Sequence, residues 1–140
     1  MASISFHTED ISFEVSSKLA LKNWIKEVID FHKKKQGPIN YIFCSDEHLL
    51  GMNRQYLQHD EYTDIITFDY SEKQLVSGDI FISIDRVKEN AQERGIAFLN
   101  ELHRVMIHGV LHLTGLKDKT AEESSAMRKA EDHALTLFKP

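Results

Sequence analysis

The stretch from Phe98 to Thr114 constrains this chain most. Leu102, Val105, Met106, Ile107, Val110, Leu111 and Leu113 leave a helix there with almost no polar side. A helix that is apolar nearly all round must be buried among other elements, so the fold has to be built around it. Two polar residues break the stretch from Val105 to Leu113. His108 and His112 stand four apart, which puts their rings side by side on one helix face. A buried polar group without a partner costs about 1–3 kcal/mol, so each imidazole needs one. Backbone carbonyls or water would satisfy them separately, and a shared divalent cation would satisfy both at once.

Three neighbouring features favour the cation. The setting is apolar. Gly109 sits inside the helix, where it costs about 1 kcal/mol against Ala, and so marks either close backbone packing or room for a ligand. Gly115 then turns the chain, and Asp118 follows three residues later on a loop long enough to fold back. Thr120-x-x-Glu123 supplies the capping box of the next helix, which leaves the Asp118 carboxylate free. His108, His112 and Asp118 are therefore the expected metal ligands. Three protein ligands with a fourth position open is the pattern of zinc sites that do chemistry. Such a metal acidifies bound water and polarises a phosphoryl or carbonyl oxygen. A zinc peptidase of the HExxH type needs Glu directly after the first His, and that position is Gly109, which argues against peptidase activity. Glu101 shares the stripe of His108 but lies about 10 Å along the axis, too far to be a ligand, and reads as an ordinary helix-terminal acid.

The rest of the chain supplies a sheet for this helix. Ile4 and Phe6, then Ile11, Phe13 and Val15, alternate as two short strands. Leu21, Trp24, Ile25, Val28, Ile29 and Phe31 give a helix from about Ser17 to Lys34, closed by Lys33-Lys34-Lys35 and Gly37-Pro38. Ile39 to Phe43 reads as a strand, and Ser45 caps a helix running to about Leu57. Thr63–Tyr70 and Gly78–Ile84 read as strands joined by a polar turn. Helices follow at about Asp85–Arg94, Phe98–Thr114 and Thr120–Leu137. The sum is a single α+β domain over residues 1–140, with one mixed sheet packed against helices.

Composition bounds the function. The 140 residues carry 17 Lys+Arg against 22 Asp+Glu, a formal charge of −5, so the chain cannot coat nucleic acid by bulk charge. No apolar stretch approaches the ~20 residues of a membrane helix. No secretory leader opens the chain, and a single Cys44 excludes an intrachain disulfide, so a cytoplasmic protein with no membrane and no disulfide partner is expected.

The segment His108-Gly109-Val110-Leu111-His112-Leu113-Thr114-Gly115 resembles the signature of the YbeY family, H-G-x-L-H-L-x-G-Y-D-H. Asn53-x-x-Tyr56, Asp60, Thr63-Asp64-Ile65-Ile66-Thr67-Phe68, Gly78-Asp79-Ile80-Phe81-Ile82-Ser83, Met127-Arg128 and Glu131 resemble its other blocks in the same order. The likeness runs from about Asn53 to Glu131. It implies a sheet with a zinc-binding helix beside it, one Zn²⁺ or other divalent ion per chain, and endoribonuclease activity on single-stranded RNA. The implied role is ribosomal RNA processing, including maturation of the small-subunit rRNA 3′ end, with rRNA and the small ribosomal subunit or its proteins as partners. Two departures from the family matter. Asp118 stands where the third histidine is usual, preceded by Lys117 in place of Asp, and Leu57 stands where an arginine usually follows the aromatic. Arg54, Lys117 and Lys119 are the nearby cations that would replace that arginine, although each reads singly as a solvated surface charge. The arginine's loss leaves a rival reading, a non-catalytic ribosome-assembly factor with a structural metal; a third reading is a zinc hydrolase of another substrate, which predicts activity on a small ester or amide. Thr67 and His59 are candidates for the cleft, with strand decoration and plain solvation as the simpler readings, and Asp79 is expected to accept turn hydrogen bonds.

Overall fold

Runs of β-branched and aromatic residues build the sheet, and a computed structural model describes it over residues 3–140. In chain order the elements are β1 (Ile4–Thr8), α1 (Lys18–Phe31), β2 (Lys35–Cys44), α2 (Asp46–Tyr56), β3 (Ile65–Asp69), β4 (Leu75–Ser83), α3 (Ile84–Arg94), α4 (Phe98–Leu113) and α5 (Ala121–Thr136). The four strands form one mixed sheet in the order β1-β2-β4-β3. β1 and β4 each run parallel to β2, and β3 pairs antiparallel with β4 as a hairpin. The expected α+β domain with one mixed sheet is what forms.

Alternation along the central strands decides which face meets the helices. Ile39, Tyr41 and Phe43 of β2 and Val76, Ile80 and Ile82 of β4 are buried in one core with Leu21, Trp24, Ile25, Val28 and Ile29 of α1 and the apolar side chains of α4. Full burial of a side chain of this size stabilises by about 1.5–3 kcal/mol each. The polar atoms within that core are satisfied. Trp24 Nε1–H donates to the Ala134 carbonyl at 2.7 Å and ties α1 to α5, and the Tyr41 hydroxyl donates to the Met106 carbonyl at 2.9 Å and ties β2 to α4. The opposite face carries a smaller cluster, Cys44, Leu49 and Ile66, under α2.

Three sequence expectations change. Ile11, Phe13 and Val15 do not form a strand. They lie in a coil that follows a positive-φ Asp10, and their alternation reflects side chains plugged into the core: Val15 is buried and Phe13 packs edge-on against Phe43 at 5.3 Å. α1 stops at Phe31, with His32 at its C-cap and Lys33 at φ 61°, so the lysine run lies beyond the helix, and Lys35 already opens β2. Gly37-Pro38 interrupts β2 without ending it. The register against β4 slips between Gln36 and Ile39, as a residue lacking an N–H requires. A Cβ at Gly37 would lie 2.8 Å from the Val76 carbonyl oxygen, so only glycine fits that bulge.

The caps match expectation. Ser45 Oγ accepts from His48 N–H at 3.1 Å, and Thr120 and Glu123 form both hydrogen bonds of the capping box at 3.0 Å. Among the described residues no helix is long and apolar enough to cross a membrane.

Candidate metal centre and cleft

α4 places its histidines by packing its backbone directly on the sheet. A Cβ at Gly109 would come within 3.0 Å of Ile65 Cδ1 and Ile80 Cγ2. Of the two readings of that glycine, close packing is therefore the one that applies: Gly109 lets α4 press against β3 and β4, with His108 directly before it and His112 three residues after it. The rings of His108 and His112 lie 4.5 Å apart between centroids.

The helix end brings in the third residue. Leu116 N–H donates to the Leu111 carbonyl at 3.1 Å and Gly115 N–H to the His112 carbonyl at 3.0 Å, with Gly115 at φ 111°. This is a Schellman motif, and it reverses the chain over the last turn of α4. The returning loop carries Asp118 to the two rings. Its Oδ2 lies 3.3 Å from His108 Nε2 and 3.4 Å from His112 Nε2. One ligand atom from each of the three residues falls within 4.8 Å of the others.

The other ring nitrogens are held from behind. His108 Nδ1 lies 2.6 Å from Glu131 Oε2 on α5, and His112 Nδ1 lies 3.0 Å from the Leu116 carbonyl. Neither an ionised carboxylate nor a carbonyl donates a hydrogen bond, so in the neutral rings Nδ1 carries the proton and Nε2 presents a lone pair. Two lone pairs and a carboxylate oxygen then face one another at contact distance, which is repulsive unless positive charge lies between them. A divalent cation fits this donor set. Burial alone would lower the pKa of His108, but the hydrogen bond and charge of Glu131, with Asp118 and Asp64, outweigh it and raise it. Burial opposes ionisation of Glu131, but hydrogen bonds from His108 and Arg104 hold its carboxyl below the ordinary range.

Glu131 is itself anchored. Arg104, one helical turn before His108, donates from Nη1 to Glu131 Oε1 at 2.8 Å and from Nη2 to Asp132 Oδ1 at 2.7 Å. The chain Arg104–Glu131–His108 fixes ring orientation and tautomer, as carboxylate partners do behind metal-binding histidines. Sequence reading had Glu131 only as part of a resemblance and missed Arg104, although its place four residues before His108 on the same face was a usable signal.

A cleft of about 310 Å³ opens beside these groups, lined among others by Asp64, Arg94, Glu101, Arg104, His108, Asp118, Arg128 and Glu131. Glu101 is no ordinary helix-terminal acid: it is 1% exposed and accepts from Arg94 Nη1 at 3.1 Å. Asp64, at the head of β3, is held in the protonated direction by burial, against the pull of His108 and Arg94. The cations weighed as substitutes for the arginine absent at Leu57 lie elsewhere. Arg54 is bound to Asp60, and Lys117 and Lys119 are exposed; none of the three lines the cleft. His59 is likewise exposed, 3.8 Å from Glu61, and Thr67 is half-buried on β3 without lining the cleft. Asp79 accepts from the cross-strand Asn40 Nδ2 at 3.0 Å, a contact within the sheet and not in a turn.

Comparison with known proteins agrees with this architecture along nearly its whole length. A family model described as Endoribonuclease YbeY matches residues 3–139. A Parabacteroides distasonis protein named Endoribonuclease YbeY is 50% identical over 135 residues, covering 96% of this chain and 95% of the relative. A Cytophaga hutchinsonii protein of the same name is 52% identical over 137 residues, covering 97% and 96%. The solution structure of TM1509 from Thermotoga maritima superposes with a TM-score of 0.65 at 27% identity, covering 96% of this chain and 90% of that one. With the signature helix, the ordered blocks and the fold all in agreement, this chain belongs to the endoribonuclease YbeY family.

Proposed function

We propose that residues 1–140 act as one metal-dependent endoribonuclease domain, with Zn²⁺ held by His108, His112 and Asp118 and single-stranded ribosomal RNA as substrate. The observation that carries the assignment is the arrangement of three ligand atoms whose two imidazoles have their other nitrogens already committed. Two nitrogens and one carboxylate oxygen make a donor set typical of zinc sites that keep a position open for chemistry. When bound, the ion supplies Lewis acidity towards a phosphoryl oxygen and acidifies a water.

The chain's own residues do the rest. Glu131 and the Leu116 carbonyl hold both histidines in the metal-binding tautomer, and Asp118 offsets part of the ion's charge. The cleft arginines draw the phosphodiester in, since bulk charge does not. Unstacked RNA segments can enter such a cleft where a duplex cannot. The family's name makes RNA the substrate class, and processing of rRNA at the small ribosomal subunit in the cytoplasm is the setting we assign to it.

The test compares purified wild type with His112→Ala on a single-stranded rRNA fragment, with metal content measured on both. Loss of cleavage together with the metal supports the assignment. Equal cleavage by both proteins refutes hydrolysis at this centre.

A further inference from the structure

The cleft contains three arginines, and their bonding separates them into two kinds. Arg104 is committed: both Nη atoms hold carboxylates, and its side chain is only 20% exposed. Arg94 donates from Nη1 alone, to Glu101, and its Nε and Nη2 make no other bond among the described residues. Arg128 is freer still. Its side chain is 56% exposed, and its nearest carboxylate oxygen, on Glu131, is 3.9 Å away, beyond hydrogen-bond length. α3, which ends at Arg94, and α5, which carries Arg128, both pack on α4, so the two side chains reach the His108–Asp118 region from neighbouring helices.

Charge balance in the cleft points the same way. Counted formally, with His108 neutral, three arginines face the four carboxyls of Asp64, Glu101, Asp118 and Glu131, so the lining is one negative charge in excess. A divalent cation on the proposed ligands reverses that sign, and the cleft then attracts a polyanion. Within it, Arg94 keeps Nε and Nη2, and Arg128 its whole guanidinium, outside any carboxylate hydrogen bond, and a guanidinium matches the geometry of a phosphate better than any other side chain.

We propose that Arg94 and Arg128 form a phosphate-binding subsite that holds the RNA backbone next to the phosphodiester at the metal, in place of the arginine that position 57 lacks. The inference rests on the RNA-cleaving reading of the same cleft. It assigns these two residues to positioning the strand, not to the chemical step.

Binding of a short, labelled single-stranded RNA to the metal-loaded protein, followed by fluorescence anisotropy across 50–200 mM salt with probe integrity checked on gels, tests it. Each phosphate contact on a single strand contributes about 0.7 to the slope of log affinity against log salt, so a fourfold rise in salt should cost about 2.6-fold less affinity for each arginine removed. Arg128→Ala should lose one such contact, and Arg128→Lys should keep it. Arg94→Ala strands the buried Glu101, so Arg94→Ala/Glu101→Gln is the companion variant, and it should lose a second contact additively. A wild-type slope in Arg128→Ala, or in the folded Arg94→Ala/Glu101→Gln protein, overturns the subsite. Parallel cleavage assays keep the two readings apart. Wild type that binds with the full slope but does not cleave refutes the nuclease reading and leaves the subsite standing; variants that cleave poorly while keeping the slope refute the subsite alone.

Discussion

Glu131→Gln is a nearly isosteric change with a large expected effect, because the residue has two donors to satisfy. Glu131 Oε1 accepts from Arg104 and Oε2 from His108 Nδ1. Glutamine has one carbonyl oxygen and an NH₂ group that cannot accept. If the oxygen stays with Arg104, the amide N–H faces His108 Nδ1. The ring then takes the other tautomer, with its proton on Nε2, the atom 3.3 Å from Asp118. If the oxygen turns to His108, the half-buried guanidinium of Arg104 loses one of its two carboxylate partners, at a cost of about 1–3 kcal/mol. Either route reduces metal affinity, and loss of an outer partner of this kind typically costs 10–100-fold, or about 1.4–2.7 kcal/mol. Competition against a metal indicator at pH 7.5 reads the dissociation constant directly, with circular dichroism confirming an unchanged fold. Wild-type metal affinity in Glu131→Gln would show that the tautomer of His108 is not set by this carboxylate, and the reasoning would fail.

Other outcomes follow from the same geometry. Asp118→Ala should lower metal affinity at least 100-fold, beyond the upper end for an outer partner, as measured by competition or metal analysis of the dialysed protein. Gly109→Ala gains about 1 kcal/mol of helix propensity but sets a Cβ within 3.0 Å of Ile65 and Ile80; strain of about 1–3 kcal/mol should leave it less stable than wild type in urea unfolding and shift both histidines. Metal-free protein should be most stable between about pH 4.5 and 6.5. The raised pKa of His108 contributes stability that is complete below its ordinary 6.5 and is lost as pH rises through the folded value; the lowered pKa of Glu131 contributes stability present above its ordinary 4.5 and lost as pH falls through the folded value. Thermal melts of the chelated protein from pH 4 to 9 should show both flanks, and His108→Ala should flatten the alkaline one. Metal binding should show the opposite trend to that alkaline flank, weakening as pH drops because Nε2 of each ring must be free of its proton.

How much of the site was legible depended on whether its parts lie close in the chain. His108 and His112 are one helical turn apart, and Asp118 follows the glycine that ends the helix, so periodicity and turn chemistry were enough to bring all three to one place. The same local rules marked the caps at Ser45 and Thr120. They failed where a local pattern has two physical causes. Ile11, Phe13 and Val15 alternate because a coil inserts them into the core, not because they pair in a ladder. Gly37-Pro38 reads as an end in sequence but is a bulge inside β2, since the neighbouring strand carries the pairing past the missing N–H.

The amino-acid order alone determined a buried helix with two adjacent imidazoles, a carboxylate returned to them by a glycine turn, and a sheet of β-branched strands to cover the helix. All of these are set by interactions within a few residues, where backbone geometry leaves little choice. Only the tertiary structure decided what stands behind and around those groups. Glu131 meets His108 across 23 positions, and Arg94, Arg104 and Arg128 come from three helices to line one cleft. A charged residue on a helix carries no mark of whether it will face water or a neighbouring helix. Its partner is chosen by packing of the apolar faces, and that packing exists only in the folded chain.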